Sequence, residues 1–154
     1  MSKYSGLLIV GAAATALAVT ARPAAAQAPK PPCTLLTPSQ VAGALGVKDV
    51  AAGAAIGKTG CQWVSQDKAL HAFVTLSFWD PAGFSAMKAP LPNVTKTPAP
   101  GIGDDALYST IGGFTSLSVK KGGAVFVVKA YGVPDQAKQE AIEKTLAGDV
   151  IAKL

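Results

Sequence analysis

The sequence predicts an α+β domain: an antiparallel sheet, including a three-stranded meander over 105–131, with an N-terminal and a C-terminal helix packed on it. Three observations carry this. Strand-like runs at 105–111, 114–121 and 124–131 are separated only by Gly112-Gly113 and Gly122-Gly123, links whose freedom at positive φ suits tight hairpins. Near the N-terminus, Thr37-Pro38-Ser39-Gln40 has the form of a helix start. Near the C-terminus, an Asp-capped segment carries apolar residues at helical spacing.

In chain order, the first 26 residues come before any of this. Lys3 is followed by an uncharged, Ala-rich run over 6–21, then Arg22-Pro23 and Ala24-Ala25-Ala26. That order of basic start, apolar run and small-residue site is a cleavable secretory signal, with the cut expected after Ala26 rather than Ala28. The run falls short of the ~20 residues that span a bilayer, so no membrane span is expected after cleavage. Lipidation at Cys33 is not expected, because Lys30-Pro31-Pro32 precedes it where small apolar residues are needed. The expected location is therefore periplasmic or secreted. Residues 27–32 read as a Pro-rich tether and 33–154 as a single domain.

Removing residues 1–26 leaves 12 lysines against 9 acids and no arginine, a net charge of +3. The lysines are scattered, and the Arg forks and clustered charge of nucleic-acid readers are missing, so no nucleic-acid partner is expected. Two cysteines in an exported chain, Cys33 and Cys61, imply a structural disulfide. A redox or metal pair would need C-x-x-C spacing or histidine partners, and His71 is the only histidine.

In the first helix, Thr37 is the N-cap, Pro38 takes N1, Gln40 completes a capping box, and Leu36 can staple onto Val41; Gly46 ends the helix after Leu45. Residues 47–60 read as a weak strand or loop, and 61–66 as a short strand. The longest strand is expected over 70–79. Leu70, Ala72, Val74, Leu76 and Phe78 alternate onto the core face, with His71, Phe73, Thr75, Ser77 and Trp79 opposite. Asp80-Pro81 opens a short helix to about Lys88. The proline-spaced segment 90–103 is expected to be a loop that runs extended along the surface. The last helix covers 136–152, with Ala137, Ala141, Ile142, Leu146 and Val150 forming its buried stripe.

No residue group has the form of a catalytic centre. Asp104-Asp105 lacks the further oxygen ligands of a calcium loop and reads as a turn. His71 has no visible partner, no serine lies in G-x-S-x-G, and Gly57-Lys58-Thr59 lacks the upstream glycine spacing of a phosphate loop. No catalytic residues, metal or cofactors are expected. The candidate binding patch is aromatic: Phe73 and Trp79 share the non-core face with His71, and Trp63 and Phe84 lie near in sequence. If the helices cover one face of the sheet only, the patch is exposed and marks an interaction site; if helices or the Pro-rich loop cover it, it is a second core layer.

Cys33-Thr34-Leu35-Leu36-Thr37, Ala44-Leu45-Gly46, Cys61-Gln62-Trp63 and Gly101-Ile102-Gly103-Asp104-Asp105-Ala106 give the chain a further character. With Leu117-Ser118-Val119-Lys120-Lys121-Gly122 and the C-terminal helix, this pattern resembles a broad group of small bacterial exported domains of unknown function, many of them lipoproteins. The resemblance implies the same disulfide and a non-enzymatic α+β fold, and brings no catalytic residues. The expectation is a non-enzymatic accessory or binding domain of the cell envelope, its partner an envelope protein. The alternative is a carrier of a small apolar ligand or lipid, held between sheet and helix in a pocket lined by Phe73, Trp79 and Phe126.

Overall fold

The computed structural model describes residues 30–67 and 69–154. The signal segment 1–26 and the start of the tether lie outside the described residues. A 3₁₀ turn at Pro32–Thr34 leads into α1 (Pro38–Leu45). Strands β1 (Ala54–Ile56), β2 (Gly60–Val64) and β3 (Phe73–Trp79) follow. A 3₁₀ turn and α2 (Phe84–Lys88) precede β4 (Thr95–Pro98). The chain closes with β5 (Asp105–Ile111), β6 (Phe114–Lys121), β7 (Ala124–Tyr131) and α3 (Gln136–Ile151).

All seven strands join one antiparallel sheet in the order β1-β2-β3-β7-β6-β5-β4. The expected meander is present with the expected bounds. Both Gly112 and Gly113 hold positive φ, at 54° and 83°, which the first hairpin turn requires; at the second turn only Gly122 does, at 56°. The α1 capping box forms as read: Gln40 N–H donates to Thr37 Oγ1 at 3.2 Å and Thr37 N–H to Gln40 Oε1 at 3.0 Å. Gly46 ends the helix at φ 70°.

The helices α1 and α3 lie on one face of the sheet. There α3 packs on β6 and β7, with α1 beside it and the Pro32–Thr34 turn on β1, β2 and β3. Val74, Leu76, Leu117, Val119, Phe126 and Val128 meet Val41, Ile142, Leu146 and Val150 to form the main core. Cys33 and Cys61 form the expected disulfide, with Cα atoms 5.2 Å apart. It ties the N-terminal turn to β2.

Four sequence expectations change. The long strand starts at Phe73, not Leu70, because Asp67 turns the chain: Leu70 N–H donates to Asp67 O at 3.2 Å and Ala69 N–H to Asp67 Oδ1 at 3.0 Å. Leu70 is therefore exposed rather than core, and His71 holds a φ of 45°. Part of the proline-spaced segment is β4, where Thr95-Lys96-Thr97 pairs with β5; Pro98 is tolerated because β4 is an edge strand. Finally, Ala137 and Ala141 are exposed, and α3 instead buries Gln139 and Glu143 with Ile142, Leu146, Ala147 and Val150.

The physical reason for that last change is in the sheet. The β6–β7 ladder stops at Leu117↔Val128. Two residues further on, the amides of Thr115 and Ala130 turn to α3: Thr115 N–H donates to Gln139 Oε1 at 2.9 Å, and Ala130 N–H to Glu143 Oε1 at 3.1 Å. Gln139 Nε2 also donates to the carbonyl of Val133 at 2.6 Å. Buried backbone donors must be paired, and two helix side chains here replace a missing ladder rung.

Candidate functional site

The other face of the sheet is only partly covered. Alternation puts Val64, Phe73, Tyr131, Phe114 and Ile111 on that face. They come from β2, β3, β7, β6 and β5, and together they make one continuous row. Val64 opposes Phe73, Phe73 opposes Tyr131, and Phe114 opposes Ile111 in the strand registers. The Phe73 and Tyr131 rings stack with centroids 4.4 Å apart and planes 13° from parallel, and Phe114 lies 6.5 Å from Tyr131. Phe114 and Ile111 are each 54% exposed and Val64 42%. Four interstrand steps of ~4.8 Å make the row ~19 Å long. Leu70, also exposed, belongs to the turn that enters β3 at this same end.

The opposite end of this face is partly covered. Phe84, on α2, is buried against Leu107 and Val125, with Met87 packed beside them. The face thus carries a small second core at one end and an open apolar row at the other.

Of the residues singled out from sequence, only Phe73 belongs to the row. Trp79 shares its face but lies six residues along β3, ~20 Å away, and is 56% exposed. Trp63 opposes Val74 and is fully buried in the main core, on the helix side. His71 is exposed in the turn before β3. Tyr131, Phe114, Ile111 and Val64 were missed. Ile111 and Phe114 flank the Gly112-Gly113 turn and must therefore face each other, a signal present in the sequence.

Between the two ends lie polar side chains. Gln62, Thr75, Lys129, Ser116, Ser109 and Lys96 form the next row inward, and Lys96 Nζ donates to Ser109 Oγ at 3.0 Å. A shallow cavity of ≈ 230 Å³ opens between α2 and β4–β5, lined by Lys88, Lys96, Thr97, Pro98, Asp105, Ala106 and Leu107. Asp104 and Asp105 diverge. Asp104 accepts from Gly122 N–H at 2.6 Å and from Lys121 Nζ at 2.9 Å, closing the second hairpin, while Asp105 pairs with Lys88. The Lys121 ammonium, with the Gly122 amide, holds the Asp104 carboxyl below the usual range. Among the described residues no three His, Cys, Asp or Glu side chains cluster to hold a metal ion, and no helix is long and apolar enough to cross a membrane.

Among the described residues one carboxyl is strongly perturbed, and its role is structural. Glu143 is fully buried, Oε1 accepts from Ala130, and Oε2 has no partner. Burial, aided by Glu140, pushes it up to about 7 against the pull of the Ala130 amide, the Thr115 hydroxyl and Lys129. Tyr108, which donates to the Glu140 carbonyl at 3.0 Å, is pushed up to about 12 by burial and by the two glutamates. Because the folded chain holds the Glu143 proton more tightly than the unfolded chain, its stabilising effect is complete below the ordinary carboxyl range. It is lost as pH rises through about 7. The expected loss is on the order of 2–3 kcal/mol between about pH 4.5 and about pH 8. Glu143→Gln should flatten this dependence in denaturant melts; an unchanged slope in the variant would assign the dependence to other groups.

No family model, curated protein or solved structure matches this chain.

Proposed function

We propose that the chain is an exported, non-enzymatic binding domain of the bacterial cell envelope, periplasmic or secreted, and that the helix-free face of its sheet is the working surface. One observation carries the reading: five apolar side chains on five adjacent strands line up at one end of that face, with Val64, Phe114 and Ile111 exposed and Phe73 and Tyr131 half-buried between them. A contiguous exposed apolar surface on a small domain is characteristic of an interaction site. The disulfide and the signal-like leader support export, and the resemblance to small exported domains points the same way.

The carrier alternative gains no such support. Phe73 and Trp79 stand at opposite ends of β3, and Phe126 faces the other side, in the main core. The space between sheet and α3 is filled by Leu117, Val119, Val128, Leu146 and Val150.

The test separates folding from binding. Ile111 and Phe114 are more than half exposed, so Ile111→Ser with Phe114→Ser should shift stability by no more than about 0.5 kcal/mol per site. Retention on the native envelope fraction should fall severalfold. Unchanged retention in a folded double variant would remove the row from the working surface.

A further inference from the structure

The strands of the helix-free face carry Lys129, Lys96 and Lys120 against a single acid, Asp105, which Lys88 already pairs. Lys129 and Lys96 stand in the row next to the apolar one, two residues or ~7 Å further along their strands. Asp67, in the β2–β3 turn, accepts from the Ala69 amide at 3.0 Å. Whatever covers this end therefore meets an apolar line first and lysine ammonium groups directly behind it, so its complement is apolar with an anionic border.

The shape narrows the choice. The Phe73 and Tyr131 rings stack on each other across the strands, so they stand upright and turn their edges outward. The row is a ridge and not a groove, which gives an amphipathic helix no trough to lie in. It runs across the strands β2 to β5, whereas an extended peptide adds along an edge strand, and the edges here are β1 and β4. A ridge of Phe, Tyr, Ile and Val backed by lysines suits a deformable surface whose apolar interior is bordered by phosphates. Aromatic side chains settle at headgroup depth, and lysines can lay their stems along apolar surface while their ammonium groups reach the anions.

We propose that this end of the sheet docks on an anionic phospholipid surface, with Phe114 and Ile111 entering the interface and Lys129 and Lys96 meeting the lipid phosphates. The inference rests on the working surface assigned above and names its partner. Binding is peripheral and is weakened by salt.

The test uses the protein isolated from its native compartment, cosedimented with vesicles of phosphatidylcholine alone or with about a third phosphatidylglycerol. Binding is expected to the mixed vesicles only. Ile111→Ser with Phe114→Ser, and separately Lys96→Gln with Lys129→Gln, should each weaken it roughly tenfold while leaving the thermal melt in place. Equal binding to both vesicle types, or to neither, overturns the proposal, as does full binding by the folded Ile111/Phe114 variant. If vesicles fail but retention on the envelope fraction still depends on the row, the lipid partner is wrong and the working surface stands. If retention also ignores the row, both fall. Row-dependent dimers in sedimentation velocity, without vesicle binding, would give the ridge to a second copy and overturn the lipid assignment.

Discussion

Trp63→Ala is expected to cost about 3–5 kcal/mol, the range for truncating a large aromatic in a packed core. Trp63 is fully buried at the centre of β2. Its indole lies against Gly53, where an added Cβ would come within 2.7 Å of Nε1 and 2.8 Å of Cys61 Sγ. On this side the neighbours are the Gly53 backbone and a crosslinked sulfur, which are held in place and cannot move into the space left behind. Against a typical stability of ~5–15 kcal/mol such a loss removes a large share. Denaturant melts should show a lower midpoint with an unchanged slope. Trp63→Phe should cost much less, because the Phe ring refills part of the space and the buried indole N–H, which has no partner, no longer has to be desolvated. A Trp63→Ala loss below about 1 kcal/mol would mean that Trp63 is not packed as described.

The second large effect is the crosslink. Cys33 and Cys61 are 28 residues apart, and opening a loop of that length returns roughly 3.5 kcal/mol of chain entropy to the unfolded state. The folded side adds a structural reason. The bridge anchors the Pro32–Thr34 turn, and next to it Leu35 and Leu36 are buried in the main core ahead of α1. Without the bridge, the N-terminal segment is held by those leucines, the α1 face and the bonds from Lys153 Nζ to the Leu35 carbonyl at 2.7 Å and Lys30 Nζ to the Lys153 carbonyl at 2.6 Å. Cys33→Ala with Cys61→Ala should lower the guanidinium midpoint by an amount worth about 3 kcal/mol or more. Equal midpoints for the oxidised and reduced protein would show that the bridge carries no stability.

Much of this fold was legible because its signals are local. Gly112-Gly113 and Gly122-Gly123 set the hairpins and so the bounds of β5, β6 and β7. Thr37, Gln40 and Gly46 set the ends of α1. The alternation through β3 correctly separated Val74, Leu76 and Phe78 from Phe73 and Trp79. What escaped depends on distant pairing. Gln139 and Glu143 look like surface residues until the β6–β7 ladder is seen to end early beneath them. Trp63 joins the core because β2 pairs with β3 in the register that sets it opposite Val74. The apolar row needs β7 inserted between β3 and β6, a non-sequential order that brings Phe73, Tyr131 and Phe114 together from three separated strands. Neither reading of the Phe73/Trp79 face was complete: α2 covers the Leu107–Val125 end, and the Phe73 end stays open.

Hydroxyl-radical footprinting of the protein, free and bound to its native envelope fraction, tests the assigned surface most directly. Protection on binding should concentrate at Phe73, Tyr131, Phe114 and Ile111, with Leu154 beyond the end of α3 labelled equally in both states. Protection confined to the helical face, or none along the row, would contradict it.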